Sequence, residues 1–249
     1  TFPKTEAEAS AELYWGGGIE FDQQAKMGFL RGRLVGGSSI MYQCLMDRFD
    51  DIALNDWKDE SGVKYFTPEG MSPYYDQVES DLQLHTFTEN ERNGNANLFV
   101  KACDDLGYKW GYLRRGQHDC GRELGNDCIT CLSGCHRDSK QSSMAAFIQK
   151  AELNGLKVEA EVEITDIIHS DEGVTVKGLK GILGRKSPII AKAKKVILAG
   201  GAFGSSKMML TSSFASKIPA LGKKFATHPQ SMWFGFKKEY VVAHRLFLK

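Results

Sequence analysis

The sequence predicts an α/β protein of the doubly wound type, and three observations predict it. A short continuous apolar run, Val196 to Ala199, passes through Gly200 and Gly201 into a helix over Ser205 to Leu210; a strand buried on both faces of a parallel sheet meets its ligand edge in this way. An earlier glycine-rich turn, Gly32 to Gly37, leads into the apolar positions Ile40, Met41, Cys44 and Leu45. Between the two, Val158, Ala160, Val162 and Ile164 alternate with charged residues, the pattern of a half-buried antiparallel strand.

The elements follow in order. Up to about Asp22 a short polar helix and the run Gly16 to Gly18 read as a loop leading inward. The glycine turn then opens a helix, with Ser38 and Ser39 as its natural N-caps. MSPYYDQVESDLQL predicts a helix with Pro73 in its first turn and Tyr74, Val78 and Leu82 on one face. ANLFVKACDDLGY predicts another, with Leu98, Ala102 and Leu106 sharing a face and Gly107 as its stop. A Gly-, Asp- and Asn-rich loop carries Cys120, Cys128, Cys131 and Cys135. Ser139 to Leu153 has Met144, Phe147, Ile148 and Ala151 at helical spacing, with Gly155 just beyond. Strands follow from Val158, paired antiparallel around a turn near Asp171 to Gly173.

A chain of 249 residues, 42% hydrophobic and 25% charged, can bury one large core or two modest ones. Its 32 Lys plus Arg against 31 Asp plus Glu leave a formal charge of +1, so neither a nucleic-acid footprint nor a polybasic membrane patch is indicated. No run approaches the roughly 20 apolar residues of a spanning helix, so no transmembrane segment is expected, and Thr1 opens no recognisable signal peptide.

Glycines at Gly36 and Gly37 let main chain approach a ligand closely, and the helix behind them favours an anion such as a pyrophosphate. The alternative is a plain tight turn. The cysteines, spaced C-x7-C-x2-C-x3-C, suit zinc or an iron–sulfur cluster; the alternative is free thiols or one disulfide. Trp110 and Trp233 either line a pocket or pack.

These motifs resemble one family. GRLVGGSSIMY is similar to the G-R-x-x-G-G-S-S-x-x-N flavin loop of the glucose-methanol-choline oxidoreductases, and KKVILAGGAFGSSKMML to their second signature. Between and after them, SGCHRDSKQSSMAAFI resembles the family's G-C, basic residue and K-x-S/T stretch ahead of a helix, and IPALGKKFATHPQ its V-G-x-N/K-F-x-x-H-P segment. The latter two point to the bacterial branch of cholesterol oxidases and sugar or gluconate dehydrogenases. The resemblance runs in family order from about Trp15 to His244. It implies the central part of a Rossmann-like, FAD/NAD(P)-binding doubly wound domain over 1–227, incomplete and with an inserted cysteine-bearing loop and helices. The start of an antiparallel-sheet substrate-binding domain is implied over 228–249.

The resemblance further implies FAD as cofactor, with Arg33, Gly36, Gly37, Ser38 and Ser39 around the pyrophosphate and flavin and Tyr42 near the ring, where many relatives have Asn. Ile164 matches the residue whose backbone meets the adenine, and Ala199, Gly200 and Gly201 the turn beneath the adenosine. Cys135 matches the family's G-C turn, leaving Cys120, Cys128, Cys131 and Cys135 as the candidate metal ligands. The family's first G-x-G-x-x-G would precede Thr1, and its C-terminal catalytic histidine is unmatched, so no catalytic residue is expected within this chain. His228 fits the H-P motif, which is not catalytic, and His244 fits none. The implied reaction oxidises an alcohol or sugar hydroxyl by hydride transfer to flavin N5. The cysteine cluster and Tyr42 favour electron transfer to an acceptor protein or quinone. An alcohol oxidase using oxygen and a non-catalytic flavin-fold or metal-binding module are the alternatives.

Overall fold

The computed structural model describes residues 5–118, 134–135, 137–182, 184–212, 215–227, 235–239 and 241. They divide into two compact units, Thr1–Leu156 with Lys237–Lys249, and Lys157–Phe236. Each is taken by itself.

The first unit is mainly helical. Helix α1, Glu6–Leu13, starts at a reciprocal cap in which Thr5 Oγ1 accepts from the Glu8 N–H and the Thr5 N–H donates to the Glu8 carboxylate. Strands β1, Glu20–Phe21, and β2, Gly28–Phe29, form a short hairpin. Asp22 closes it, one carboxylate oxygen accepting from the N–H groups of Lys26 and Met27 at 2.7 and 2.9 Å. Those donors, Met27 foremost, hold the Asp22 carboxyl below its ordinary range.

Helix α2, Asp51–Ser61, is capped by Asp50 and ends at Gly62 in the left-handed region. Helix α3, Pro68–Asp81, begins a turn earlier than the sequence reading. Thr67 caps it and Pro68 takes the first position, so Pro73 lies inside the helix rather than in its first turn. Helix α4, Gly94–Leu106, ends at Gly107 as expected, with Asn93 as its cap. Strands β3, Leu84–Thr86, and β4, Arg114–Gly116, pair antiparallel. The other edge of β4 holds the chain just after the glycine loop: Gly116 N–H donates to Cys44 O at 2.9 Å and Met46 N–H to Arg114 O at 3.0 Å. Among the described residues, Ala9, Met41, Cys44, Leu54, Leu82, Cys103 and Ala146 are the unit's buried apolar residues.

The helix expected from Ser139 starts later. A wide π-type turn, Met144–Ile148, runs into α5, Gln149–Leu153, because Ser139 to Ser142 are used in extended contacts described below. Trp110 packs rather than lining a pocket, its Nε1–H donating to Asp104 at 2.8 Å and its ring meeting Tyr112 edge-on. Trp233 lies outside the described residues.

The second unit is built on an antiparallel meander, β5 (Val162–Ser170), β6 (Gly173–Lys180) and β7 (Ser187–Ala193). The predicted turn at Asp171 to Gly173 is present, whereas the strand starts at Val162, not Val158: Glu161 takes a positive φ of 58°, which breaks the extended run. Helix α6, Gly201–Leu210, follows the second glycine turn. Among the described residues every sheet is antiparallel, and Val196 to Ala199 join none of them. The expectation of a strand buried on both faces fails here for a physical reason: a strand exists through its neighbours' hydrogen bonds. Val196 and Leu198 do line a cavity of about 170 Å3 together with Ile167, Val174, Met208 and Met209, while Ile197 between them is 89% exposed. Val196 is half-buried and Leu198 exposed, so neither face of the run is fully covered.

Candidate cofactor-binding site

The glycine loop of the first unit ends in a single 3₁₀ turn, Gly37–Ile40, instead of the expected helix. Gly36 has φ 91° and Gly37 φ 58°, conformations that cost an L side chain free energy. A Cβ added to Gly36 would lie 3.0 Å from Ile40 Cδ1 and 3.2 Å from Met144 Cβ, so the loop rests against the start of the π turn. At Gly37 the same test meets nothing within 4 Å. One glycine closes the loop onto the protein and the other leaves its main chain open to approach.

Ser38 and Ser39 do not cap a helix, which corrects the sequence reading. Ser38 Oγ accepts from the Gly32 N–H at 2.9 Å across the loop. Ser39 Oγ donates to Gly36 O at 2.6 Å and accepts from the Ser143 N–H at 2.9 Å. With only one turn of 3₁₀ helix to follow, the hydroxyls fix the loop's shape and its attachment instead.

Arg33 is exposed beside the loop, its guanidinium 5.3 Å from the centre of the Trp15 ring. Arg31 lies at 5.5 Å from the same ring and forks onto Glu20 at 2.6 and 2.7 Å. The backbone N–H of Arg33 donates to Leu13 O at 2.7 Å, tying α1 to the loop. Tyr42 leaves the loop half-buried, and its hydroxyl donates to Gln141 O at 3.2 Å.

Sequence reasoning missed the partners of this loop, Lys140 and Gln141. Their signal was present as the K-x-S stretch ahead of a helix, yet nothing in the spacing tells that residues roughly a hundred positions apart meet. Arg33, Gly36, Gly37, Ser38, Ser39 and Tyr42 are therefore brought together in one unit.

The remaining predicted residues lie in the second unit. Ile164 sits in β5 opposite Gly178, at the edge of a register shift before Asp166. Ala199, Gly200 and Gly201 are exposed at the opening of α6, where Gly200 is the cap without a side-chain bond and Gly201 has φ 74°. Of the cysteines, Cys135 is a half-buried free thiol; Cys120, Cys128 and Cys131, like His228 and His244, lie outside the described residues. Among the described residues no three His, Cys, Asp or Glu side chains are placed to hold a metal ion.

An open, positive-φ glycine beside an exposed arginine, and a helix whose first N–H groups have no side-chain cap, suit an anionic nucleotide in each unit. That chemistry is what a nucleotide-dependent oxidoreductase requires. The GMC oxidoreductase family model matches residues 10–230, and the chain belongs to this family. Members of the family generally bind FAD in a Rossmann-like N-terminal domain.

Among similar proteins, an uncharacterized GMC-type oxidoreductase of Sinorhizobium fredii is 25% identical over 96% of this chain and 46% of its own length. A long-chain-alcohol oxidase of Arabidopsis thaliana is 25% identical over 94% of this chain and 32% of its own length. An oxygen-dependent choline dehydrogenase of Staphylococcus aureus is 22% identical over 82% and 39%. The chain thus spans a third to a half of the curated relatives it matches. Among the described residues no helix is long and apolar enough to cross a membrane.

Proposed function

We propose that this chain holds FAD for the oxidation of a hydroxyl group in an alcohol or sugar. The observation that carries the reading is the loop 32–42, open at Gly37 and fastened from behind at Ser39 and Tyr42, within a sequence of this family. Bound FAD supplies the hydride acceptor for the hydroxyl-bearing carbon.

The chain's own residues bind and orient. Gly37 lets main chain approach the pyrophosphate while Gly36 seats the loop beneath it, Arg33 offsets its charge, and Ser38 and Ser39 hold the loop in shape. By the family resemblance Tyr42 would lie beside the flavin ring, Ile164 would meet the adenine through its backbone, and Ala199, Gly200 and Gly201 would lie against the adenosine. No proton-transfer role falls to a residue of this chain. Zinc or an iron–sulfur centre on Cys120, Cys128, Cys131 and Cys135 has no described geometry in its support and stays outside the reading.

Relatives named for long-chain alcohols and for choline support a hydroxyl compound as substrate. Tyr42 favours a quinone or redox-protein acceptor. The names "oxidase" and "oxygen-dependent" favour oxygen, and an alcohol oxidase is therefore the second reading.

The test is a titration of the flavin-stripped chain with FAD, followed by protein-to-flavin fluorescence transfer. Saturable binding with one FAD per chain is expected, weakened at least tenfold by Gly37→Val. Absence of saturable binding, or equal affinity for the variant, would overturn the assignment. Reoxidation of the chemically reduced, flavin-loaded chain by oxygen against reoxidation by a quinone, followed at the flavin absorbance band, separates the two acceptors.

A further inference from the structure

Ser139, Lys140, Gln141 and Ser142 are four consecutive polar residues with exposures of 2, 2, 4 and 5%. Such burial is costly unless each group finds a partner, so the partners reveal what the segment is for. The backbone is tied to β4 and its continuation: Gln141 N–H donates to Gly116 O at 2.9 Å and His118 N–H to Ser139 O at 3.1 Å. The Lys140 side chain and the Gln141 carbonyl turn the other way, toward the glycine loop, while the Gln141 side-chain amide donates to the Asp138 carbonyl at 3.0 Å. Lys140 Nζ donates to Tyr42 O at 3.0 Å and lies 5.8 Å from the centre of the Tyr42 ring. The Tyr42 hydroxyl donates to Gln141 O at 3.2 Å.

Tyr42 is thus gripped at its carbonyl, ring and hydroxyl by two adjacent residues some hundred positions later in sequence. A lysine loses much rotamer freedom on full burial, and a flexible carbonyl at a loop exit would not by itself place one there. We infer that Lys140 is a positioning residue. Its ammonium fixes the main chain where the loop ends and its charge lies near the ring face, so that Tyr42 presents one orientation to whatever the loop binds. The flavin part of this inference rests on the proposed function; the clamp itself does not.

The experiment compares wild type with Lys140→Met, which keeps length and removes the charge and donor. In the flavin-free chain, amide hydrogen exchange over 37–42 is expected to accelerate at least tenfold in K140M while exchange in β5 and β6 stays unchanged. Unchanged exchange over 37–42 overturns the clamp whether or not FAD binds. In the flavin-loaded chain, fluorescence of bound flavin, quenched by an ordered tyrosine, is expected to rise in K140M. That rise should vanish in a Tyr42→Leu background, because the two residues act as one unit. A purely structural lysine would lower the melting temperature and leave the brightness of bound flavin as in wild type, which also overturns the proposal. Should K140M fail to fold, Lys140→Leu, which also removes charge and donor, is read the same way. Wild-type protein that binds no FAD but shows the exchange difference retains the clamp and loses the flavin assignment.

Discussion

The two glycine turns of this chain look alike in sequence and are held in different ways. The first, at Gly36 and Gly37, is fastened to a remote segment through Ser39, Ser143, Tyr42 and Lys140. The second, at Gly200 and Gly201, is held locally, the Gly200 N–H donating to Ser205 Oγ at 3.0 Å, and follows a run whose Ile197 is almost fully exposed. Glycine chemistry makes the turn in both places. A fixed geometry comes only where side chains distant in sequence close on it.

Alanine at Gly36 and at Gly201 gives the largest expected contrast. Both positions have positive φ, but a Cβ at Gly36 also presses on Ile40 and Met144, whereas one at Gly201 meets nothing within 4 Å. Gly36→Ala is expected to cost about 3 kcal/mol, strain and crowding together. Gly201→Ala is expected to cost about 1 kcal/mol, from backbone strain alone. Thermal or denaturant unfolding checks both, and equal losses would show that the first turn is no more constrained than the second.

Smaller effects separate the hydroxyls. Ser39→Ala removes the bond to Gly36 O and leaves the Ser143 N–H without its acceptor, a loss of about 1–2 kcal/mol. Ser205→Ala removes an exposed bond within one turn, and a change within about 0.5 kcal/mol is expected. Denaturant midpoints at constant slope decide it; a Ser205→Ala loss as large as that of Ser39→Ala would erase the distinction.

Several elements of the fold were legible in sequence, but this contrast was not, and the illegible part has one cause. Asn93 to Gly107 and the turn at Asp171 to Gly173 were readable because caps and turns are local chemistry. The family was readable because GRLVGGSS and VILAGGAFGSS occur in order. What could not be read depends on partners far along the chain. Ser38 and Ser39 have the residue type of N-caps, yet Gly32 and Ser143 claim their oxygens. The serines ahead of Met144 have the residue type of caps, yet β4 and Tyr42 draw Ser139 to Gln141 into extended contacts. Val196 to Ala199 have the composition of a doubly buried strand, but composition does not supply ladder partners.

Electrostatics extends the comparison into acid, since at neutral pH the stabilisation is fully present and does not change with pH. In the first unit Glu79 accepts from Arg48 Nε and Nη2 at 2.8 Å each and lies 2.6 Å from Arg114 Nη2. Arg48 chiefly, and Arg114 with it, hold the Glu79 carboxyl at about 2, against an ordinary value of 4.5. Because the folded value is the lower one, this group's stabilisation is complete above the unfolded value and is lost as pH falls from about 4.5 toward 2. The second unit has the Glu159–Lys180 and Glu163–Lys186 pairs, exposed on both sides and open to screening by salt. Arg114 begins β4, the strand that holds Cys44 to Met46 just beyond the glycine loop, so acid should loosen that loop's surroundings through Glu79. Hydrogen exchange over residues 44–46 should rise across that pH window in wild type, and Glu79→Gln should flatten the rise, in low and high salt alike. Exchange in β5 and β6 should respond to acid in low salt and hardly at all in high salt. A salt-sensitive acid response at 44–46 would place the Arg48–Glu79–Arg114 cluster in the same class as the exposed pairs.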